Sequence, residues 1–323
     1  MRNANPVPLP LLGASDAARR GRDALDQASA RRTPVLVAAE PGCRPGLIAR
    51  VLHDRTSGTA VFIDVDCAAV ESSEINAALF GAPAPQVTAL DLEWLGADAA
   101  LLRAAGGTLF IENVDDLPSS AQRRLARILR DTEARVAGSS DPVSVTCRVI
   151  SSTTKDLDVE VREGRFRQDL LRRISVSRIT VPSLRQRSGD LEVLIERLVA
   201  ESHAAPRTFT QPAVTVLSAL PWMQNIDELS GVLAKVFESA GAIVRQEDVL
   251  AHVPIEGAFA RFDLTASLRE ARRRFEREYI AAVLERHQWR MSDAARTLGI
   301  ERANLYRKTR QLGITRIPRA EVS

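Results

Sequence analysis

Arg302, Asn304, Arg307, Lys308 and Arg310 crowd into one short stretch near the end of the chain, residues 301–312. Their chemistry is that of a nucleic-acid reader. Guanidinium and amide groups offer forked donors that match base edges in a major groove, and lysine and arginine cations match phosphates. The stretch has helical spacing: Leu305 and Leu312 face inward, which leaves Arg302, Asn304, Arg307 and Lys308 outside.

The elements needed to hold such a helix can be read around it. A shorter helix is expected from Ser292 (Ser292-Asp293-Ala294-Ala295-Arg296-Thr297-Leu298), ended by Gly299, where a left-handed residue is wanted. Ile300 anchors the next helix, which Gly313 closes. Upstream, Ser267-Leu268-Arg269-Glu270 has the form of a capping box. Leu268, Ala271, Phe275, Tyr279, Val283 and Leu284 then recur near helical spacing as one apolar stripe. Two short helices joined by a tight glycine turn, the second one basic, make a helix-turn-helix proposal. The plain alternative is a solvated basic helix.

With 323 residues there is room for two or three domains, and 45% hydrophobic with 26% charged residues is ordinary for a soluble globular protein. The net charge is only +3, so the basic character is local. Arg269, Arg272, Arg273, Arg274 and Arg277 add to the arginines of the last helix and make the C-terminal end the expected electrostatic footprint. Cys43, Cys67 and Cys147 are odd in number and lack metal-ligand spacing. They read as small buried residues in a reducing compartment, with no metal expected. No long apolar run and no signal-peptide layout is present, so a cytoplasmic location without membrane contact is expected.

In chain order, a short proline-containing arm leads into a helix over 15–30. From Thr33, strands and helices alternate. Apolar strand runs are Pro34-Val35-Leu36-Val37-Ala38, Val61-Phe62-Ile63-Asp64-Val65, Thr108-Leu109-Phe110-Ile111 and Cys147-Arg148-Val149-Ile150, with helices over 47–54 and 119–132 among those between them. Short continuous apolar strands separated by helices argue for a parallel sheet covered on both faces.

The string Ala294-Ala295-x-x-Leu298-Gly299-Ile300-x-Arg302-x-x-Leu305-Tyr306-Arg307-Lys308, followed by Leu312-Gly313-Ile314, resembles the Fis-type DNA-binding domain. It departs from that family at Trp289-Arg290, usually Gly-Asn, and at Glu301, usually a small hydroxyl residue. Between Thr33 and about Val253 the chain resembles the AAA+ ATPase domain of bacterial enhancer-binding proteins, which drive the sigma-54 form of RNA polymerase. The residues that carry this are Val65-Asp66-Cys67-Ala68-Ala69-Val70, Leu79-Phe80-Gly81, Gly106-Gly107-Thr108-Leu109-Phe110-Ile111, Gly164-Arg165-Phe166-Arg167-Gln168-Asp169-Leu170 and Val181-Pro182-Ser183-Leu184-Arg185-Gln186-Arg187. Trp222 and Asn225-Ile226-Asp227-Glu228-Leu229 complete them. With no space before Thr33 for a sensory or receiver domain, the layout looks most like the phage-shock type of activator.

The resemblance implies an arm and helix over 1–32, an α/β AAA+ P-loop-type domain over 33–180, a helical lid over 181–255, a linker over 256–266 and an all-α Fis-type helix-turn-helix domain over 267–323. It also implies DNA binding through Arg302, Asn304, Tyr306, Arg307, Lys308 and Arg310, and a homodimer, or a higher homo-oligomer, on a roughly palindromic double-stranded site.

The positions that should do nucleotide chemistry depart from the family. A P-loop needs glycines so that backbone amides can cradle phosphates, and a lysine for the β- and γ-phosphates. In Ala39-Glu40-Pro41-Gly42-Cys43-Arg44-Pro45-Gly46, Pro45 stands at the lysine position and Arg44 at the last loop glycine. Proline has neither an amide hydrogen nor a cation, while Arg44 could supply charge. After the Walker B strand, Glu112 could approach a magnesium ion, but Asn113 replaces the carboxylate that polarises an attacking water. Thr154 replaces the sensor asparagine, and Asp227 replaces the lid arginine. Gly42, Arg44, Pro45, Glu112, Asn113, Thr154 and Asp227 are therefore expected to form a vestigial nucleotide site. No cofactor and no catalysis are expected.

Arg167 and Arg173 match the arginines that reach into a neighbour's site; surface salt-bridging is their alternative. The Gly-Ala-Phe-Thr-Gly-Ala polymerase loop is replaced by Ala82-Pro83-Ala84-Pro85-Gln86-Val87-Thr88-Ala89-Leu90. Leu92, Trp94, Leu95, Leu101 and Leu102 nearby are expected in a packed helix, with a partner patch as the alternative. The leading expectation is a DNA-binding transcriptional regulator with a scaffold ATPase domain, acting by occupancy, bending or contact with RNA polymerase or a regulatory protein. The alternatives are a working ATPase that remodels polymerase, and an adaptor that co-assembles with an intact homologue.

Overall fold

The computed structural model describes residues 7–81, 92–136, 139, 141–202, 207–253, 276–277, 280, 283–284, 291–298 and 300–314. The chain divides into two compact units, residues 1–253 and 254–323. In chain order the first unit begins with α1 (Asp16–Ser29), β1 (Val35–Ala38), α2 (Pro45–Thr56), β2 (Phe62–Asp66), α3 (Ser72–Phe80), β3 (Trp94–Leu95), α4 (Ala100–Arg103) and β4 (Thr108–Glu112). It continues with α5 (Ser119–Asp131), β5 (Glu133–Val136), β6 (Val143–Ser144), β7 (Arg148–Thr153), α6 (Leu157–Arg162), α7 (Gln168–Ile174) and β8 (Ser177–Thr180). Then come α8 (Leu191–Glu201), β9 (Thr208–Phe209), α9 (Gln211–Ala219), α10 (Asn225–Ser239), β10 (Ile243–Val244) and α11 (Gln246–Leu250).

The main sheet is five-stranded and parallel, in the order β2-β4-β7-β1-β8. Side chains alternate across it. Val35, Val37, Phe110, Ile150 and Ile179 join Leu25 of α1 and Ile48 and Leu52 of α2 in one core. Leu36, Leu109, Ile111 and Val149 join residues of α3, α5 and α7 in the other. The inner strands β1 and β4 are apolar on both sides because both faces are covered, which is why they read as continuous apolar runs.

Strand limits differ from expectation by a residue or more: 61–65 becomes Phe62–Asp66, and the run from Cys147 becomes Arg148–Thr153. The helix expected over 47–54 spans Pro45–Thr56. Proline suits the first helical position, where its missing N–H has no partner to lose. The edge strand β8 was not expected. It pairs with β1 from Val35↔Ser177 to Ala38↔Thr180. Buried Arg148 ties this end of the fold together, donating to the Ala28, Arg31 and Thr33 carbonyls and to Thr56 Oγ1. Of the residues expected in a packed helix, Leu101 and Leu102 lie in α4, whereas Trp94 and Leu95 form strand β3; Leu95 and Leu101 are fully buried in the core.

Residues 184–253 have their own core of Leu194, Leu217, Trp222, Leu229, Leu233 and Val236. Leu9 belongs to that core, whereas Leu11, two positions on, belongs to the core under α1 and α2. Residues 9–11 therefore pin the helical lid to the sheet.

In the second unit, α12 (Met291–Thr297) and α13 (Arg302–Leu312) pack through Ala294, Ala295, Leu305 and Leu312 against Ile280, Val283 and Leu284. Gly313, at φ 66°, ends α13 in the left-handed conformation. The capping box at 267–270, Ala271, Phe275, Tyr279, Gly299 and the polymerase-loop position at 82–90 lie outside the described residues. Among the described residues, no helix is long and apolar enough to cross a membrane, and no group of His, Cys, Asp and Glu could hold a metal ion.

Candidate functional site

The loop between β1 and α2 is built by two residues with positive φ, Gly42 at 75° and Arg44 at 56°. Gly42 has no room for a side chain, since a Cβ there would lie 1.9 Å from the Gln224 carbonyl oxygen. Arg44 extends from the loop to the lid. Its Nε donates to Asp227 Oδ1 at 2.6 Å and its Nη2 to Ser230 Oγ at 3.0 Å. The loop's arginine and the lid's aspartate, both expected in a vestigial site, are thus each other's partner.

Backbone contacts run the same way. Asp227 N donates to the Gly42 carbonyl at 3.2 Å. Fully buried Asn225 donates from Nδ2 to the Pro41 carbonyl at 2.9 Å while its Oδ1 accepts Leu184 N at 2.9 Å. Arg185 pairs with Glu40 at 2.6 Å. Below the loop, buried Arg187 donates to the Leu12 carbonyl, and Asp190 accepts the Ala14 and Ser15 amides at 2.8 and 2.9 Å.

At the end of β4, Asn113 also has positive φ, 53°, a conformation asparagine tolerates. Its Nδ2 donates to Asp66 Oδ1 at 2.8 Å, so an amide stands where a second carboxylate would repel. Burial, followed by the charges of Asp66, Asp64 and Asp227, pushes the Glu112 carboxyl up to about 7. Thr154 is exposed on a cleft of about 420 Å³ that it lines with Lys155, Arg178 and Thr180 and that reaches Ala39 and Glu40 at the start of the β1–α2 loop. Its neighbour Thr153 makes the hydrogen bonds there, donating to Asp115 at 2.8 Å and accepting Lys155 N at 3.1 Å. Arg167, which stands at the N-cap of α7, forks onto Asp169 in the first turn of that helix at 2.9 and 2.8 Å, and Arg173 reaches the Leu129 carbonyl at 3.4 Å. The three cysteines are free, and burial pushes the thiols up to about 11 at Cys43 and Cys147 and about 12 at Cys67.

The structure therefore brings Gly42, Arg44 and Asp227 into direct contact, places Pro45 at the head of α2, sets Thr154 on the cleft that Glu40 also lines, and leaves Arg167 and Arg173 elsewhere. Sequence reasoning missed Gln224, Ser230 and Asp190. Nothing local marks them, because their partners lie far away along the chain.

On α13, Leu305, Thr309 and Leu312 are buried and Arg302, Tyr306, Arg307 and Arg310 are exposed. The Arg302 guanidinium lies 5.7 Å from the Tyr306 ring centre. Asn304 and Lys308 are less free than expected. Asn304 Oδ1 accepts Arg307 Nη2 at 2.6 Å, and Lys308 pairs with Glu276.

The fold and these two sites define a chain with an AAA+ α/β domain, a helical lid and a helix-turn-helix. Residues 11–180 match the family described as the Sigma-54 interaction domain, and residues 271–312 match the Bacterial regulatory protein, Fis family. The chain belongs to the sigma-54 interaction domain family and carries a Fis-type helix-turn-helix. It is similar to the nitrogen assimilation regulatory protein NtrX of Azorhizobium caulinodans, 31% identical over 95% of this chain and 70% of that protein. The response regulator protein PilR of Pseudomonas aeruginosa is 30% identical over 96% and 71%. Among solved structures, NtrX from Brucella abortus in complex with ADP matches with a TM-score of 0.65 and 28% identity, over 95% of this chain and 69% of that one.

Proposed function

We propose that this chain is a sequence-specific, DNA-binding transcriptional regulator whose AAA+ domain is a scaffold that does not hydrolyse ATP. The observation that carries this reading is the Arg44–Asp227 pair. The loop's one new cation is spent on the lid, and the position of the phosphate-binding lysine is a proline at the head of α2. Asn113 donates to Asp66 and has no carboxylate with which to polarise water. On this reading the protein works in the cytoplasm as a homodimer or larger homo-oligomer on double-stranded DNA, by occupancy, bending or contact with RNA polymerase or a regulatory protein.

Calorimetric titration of the purified chain with ATP and magnesium tests the scaffold. No heat at high micromolar ATP, and no phosphate release, is expected; metal-dependent turnover would sink the reading. For the DNA side, Arg302→Ala should relax sequence preference, since a good base pairing is worth ~1–3 kcal/mol. A double Arg302→Ala, Asn304→Ala variant with unchanged site preference would show that α13 does not read bases.

A second reading, a nucleotide-binding switch, draws on the similar NtrX structure, which was solved in complex with ADP. Clear calorimetric binding without turnover would favour it.

A further inference from the structure

We propose that the lid is latched onto the β1–α2 loop by the chain's own residues, with the Arg44–Asp227 pair as the bolt, so that lid position is independent of nucleotide. The inference rests on the reading of this site as one that does not take up ATP.

Three observations support it. First, the contact is mutual and dense. Arg44 holds Asp227 and Ser230 by side chain, while the lid's Asp227 amide and Asn225 side chain hold the Gly42 and Pro41 carbonyls. Second, the surfaces are closely fitted, because Gln224 occupies the space that any side chain at residue 42 would need. Third, the lid is fixed at its other end too: Arg187 and Asp190 hold residues 12–15, and Leu9 and Leu11 divide between the two cores. A lid tied to the loop and, through Arg187 and Asp190, to the N-terminal segment has no hinge left for a ligand to close. The pair also neutralises charge usefully. Asp227 lies close enough to Glu112 to raise its pKa, and Arg44 supplies the positive charge between lid and loop.

Hydrogen–deuterium exchange on the full chain tests the latch, comparing wild type, Arg44→Ala, Asp227→Ala and the charge-swapped Arg44→Asp, Asp227→Arg, each with and without ATP and magnesium. Aspartate tolerates the left-handed conformation at residue 44, so the swap is sterically allowed. Both alanine variants should exchange about two- to fivefold faster at loop 40–47 and in α10, the scale expected of a partly exposed pair. The swap should recover most of that protection, and the strands β4 and β7 should be unchanged in all four proteins, which reports that the core is folded. ATP should alter nothing in the wild type. Wild-type exchange rates in both alanine variants would overturn the latch alone. Slowed exchange in wild type on adding ATP would overturn the nucleotide-free reading beneath it, and the calorimetric titration separately reports that failure.

Discussion

Asn113 and Glu112, neighbours at the end of β4, respond to the same crowd of carboxylates in opposite ways. Asn113 gives Asp66 a neutral donor at 2.8 Å. Asn113→Asp would exchange that hydrogen bond for a like-charge contact and should cost about 1–3 kcal/mol at pH 8, with no gain of ATP turnover because Pro45 is untouched. Chemical unfolding of the variant measures the first expectation, and a stability equal to wild type would contradict it. Glu112 keeps its proton to about 7, against an ordinary 4.5, because burial and then Asp66, Asp64 and Asp227 oppose its charge. Between those two values the folded chain holds a proton that the unfolded chain has lost. Stability from this group is therefore complete below 4.5, falls as pH rises towards 7 and is level above. Glu112→Gln removes that slope. Its melting temperature should exceed that of wild type at pH 8, and the advantage should shrink towards pH 5. An offset equal at both pH values would mean that Glu112 is not the titrating group.

At the scale of elements, the loop–α2 unit turns on Gly42. Alanine there meets two obstacles, a left-handed φ of 75° and the Gln224 carbonyl. Gly42→Ala should lose roughly 2–4 kcal/mol of stability in urea unfolding, well above a surface substitution. A loss under about 0.5 kcal/mol would mean that the lid does not press on the loop. Much of this architecture was legible beforehand. The apolar runs at 34–38 and 108–111 could only be buried strands, and Leu305 and Leu312 marked the inner side of α13. Strand β8 escaped because Ser177-Arg178-Ile179-Thr180 alternates, with one fully buried residue, so no continuous apolar run announces it. Strands β3 and β6, two residues each, have no periodicity to read. At the site, Arg44, Pro45, Asn113 and Asp227 could each be singled out one by one as residue types. That Arg44 and Asp227 answer each other was not, because a partner 183 positions away leaves no mark in a linear pattern.

Across the whole molecule, charge and function separate by unit. The net charge of +3 is too small to draw DNA to the protein as a whole, so affinity must come from the second unit's exposed cations. Among these, Arg310 has no ion pair with any described residue, whereas Lys308 is held by Glu276. Each phosphate contact contributes a slope of about −0.9 to log affinity against log salt. Arg310→Ala should therefore flatten that slope by about one unit while leaving the preferred sequence unchanged. Lys308→Ala should flatten it less, since its charge is already partly neutralised within the protein. If the first unit is a latched scaffold, ATP and magnesium should move neither the slope nor the affinity. Fluorescence anisotropy on an operator-length duplex and on a scrambled duplex of the same length, titrated from low to high salt with and without ATP, reads slope, affinity and preference. A larger effect at Lys308 than at Arg310 would mean that the Glu276 pair opens on DNA. A slope that steepens with ATP would mean that nucleotide in the first unit reaches the DNA-reading unit, and the scaffold reading would fall.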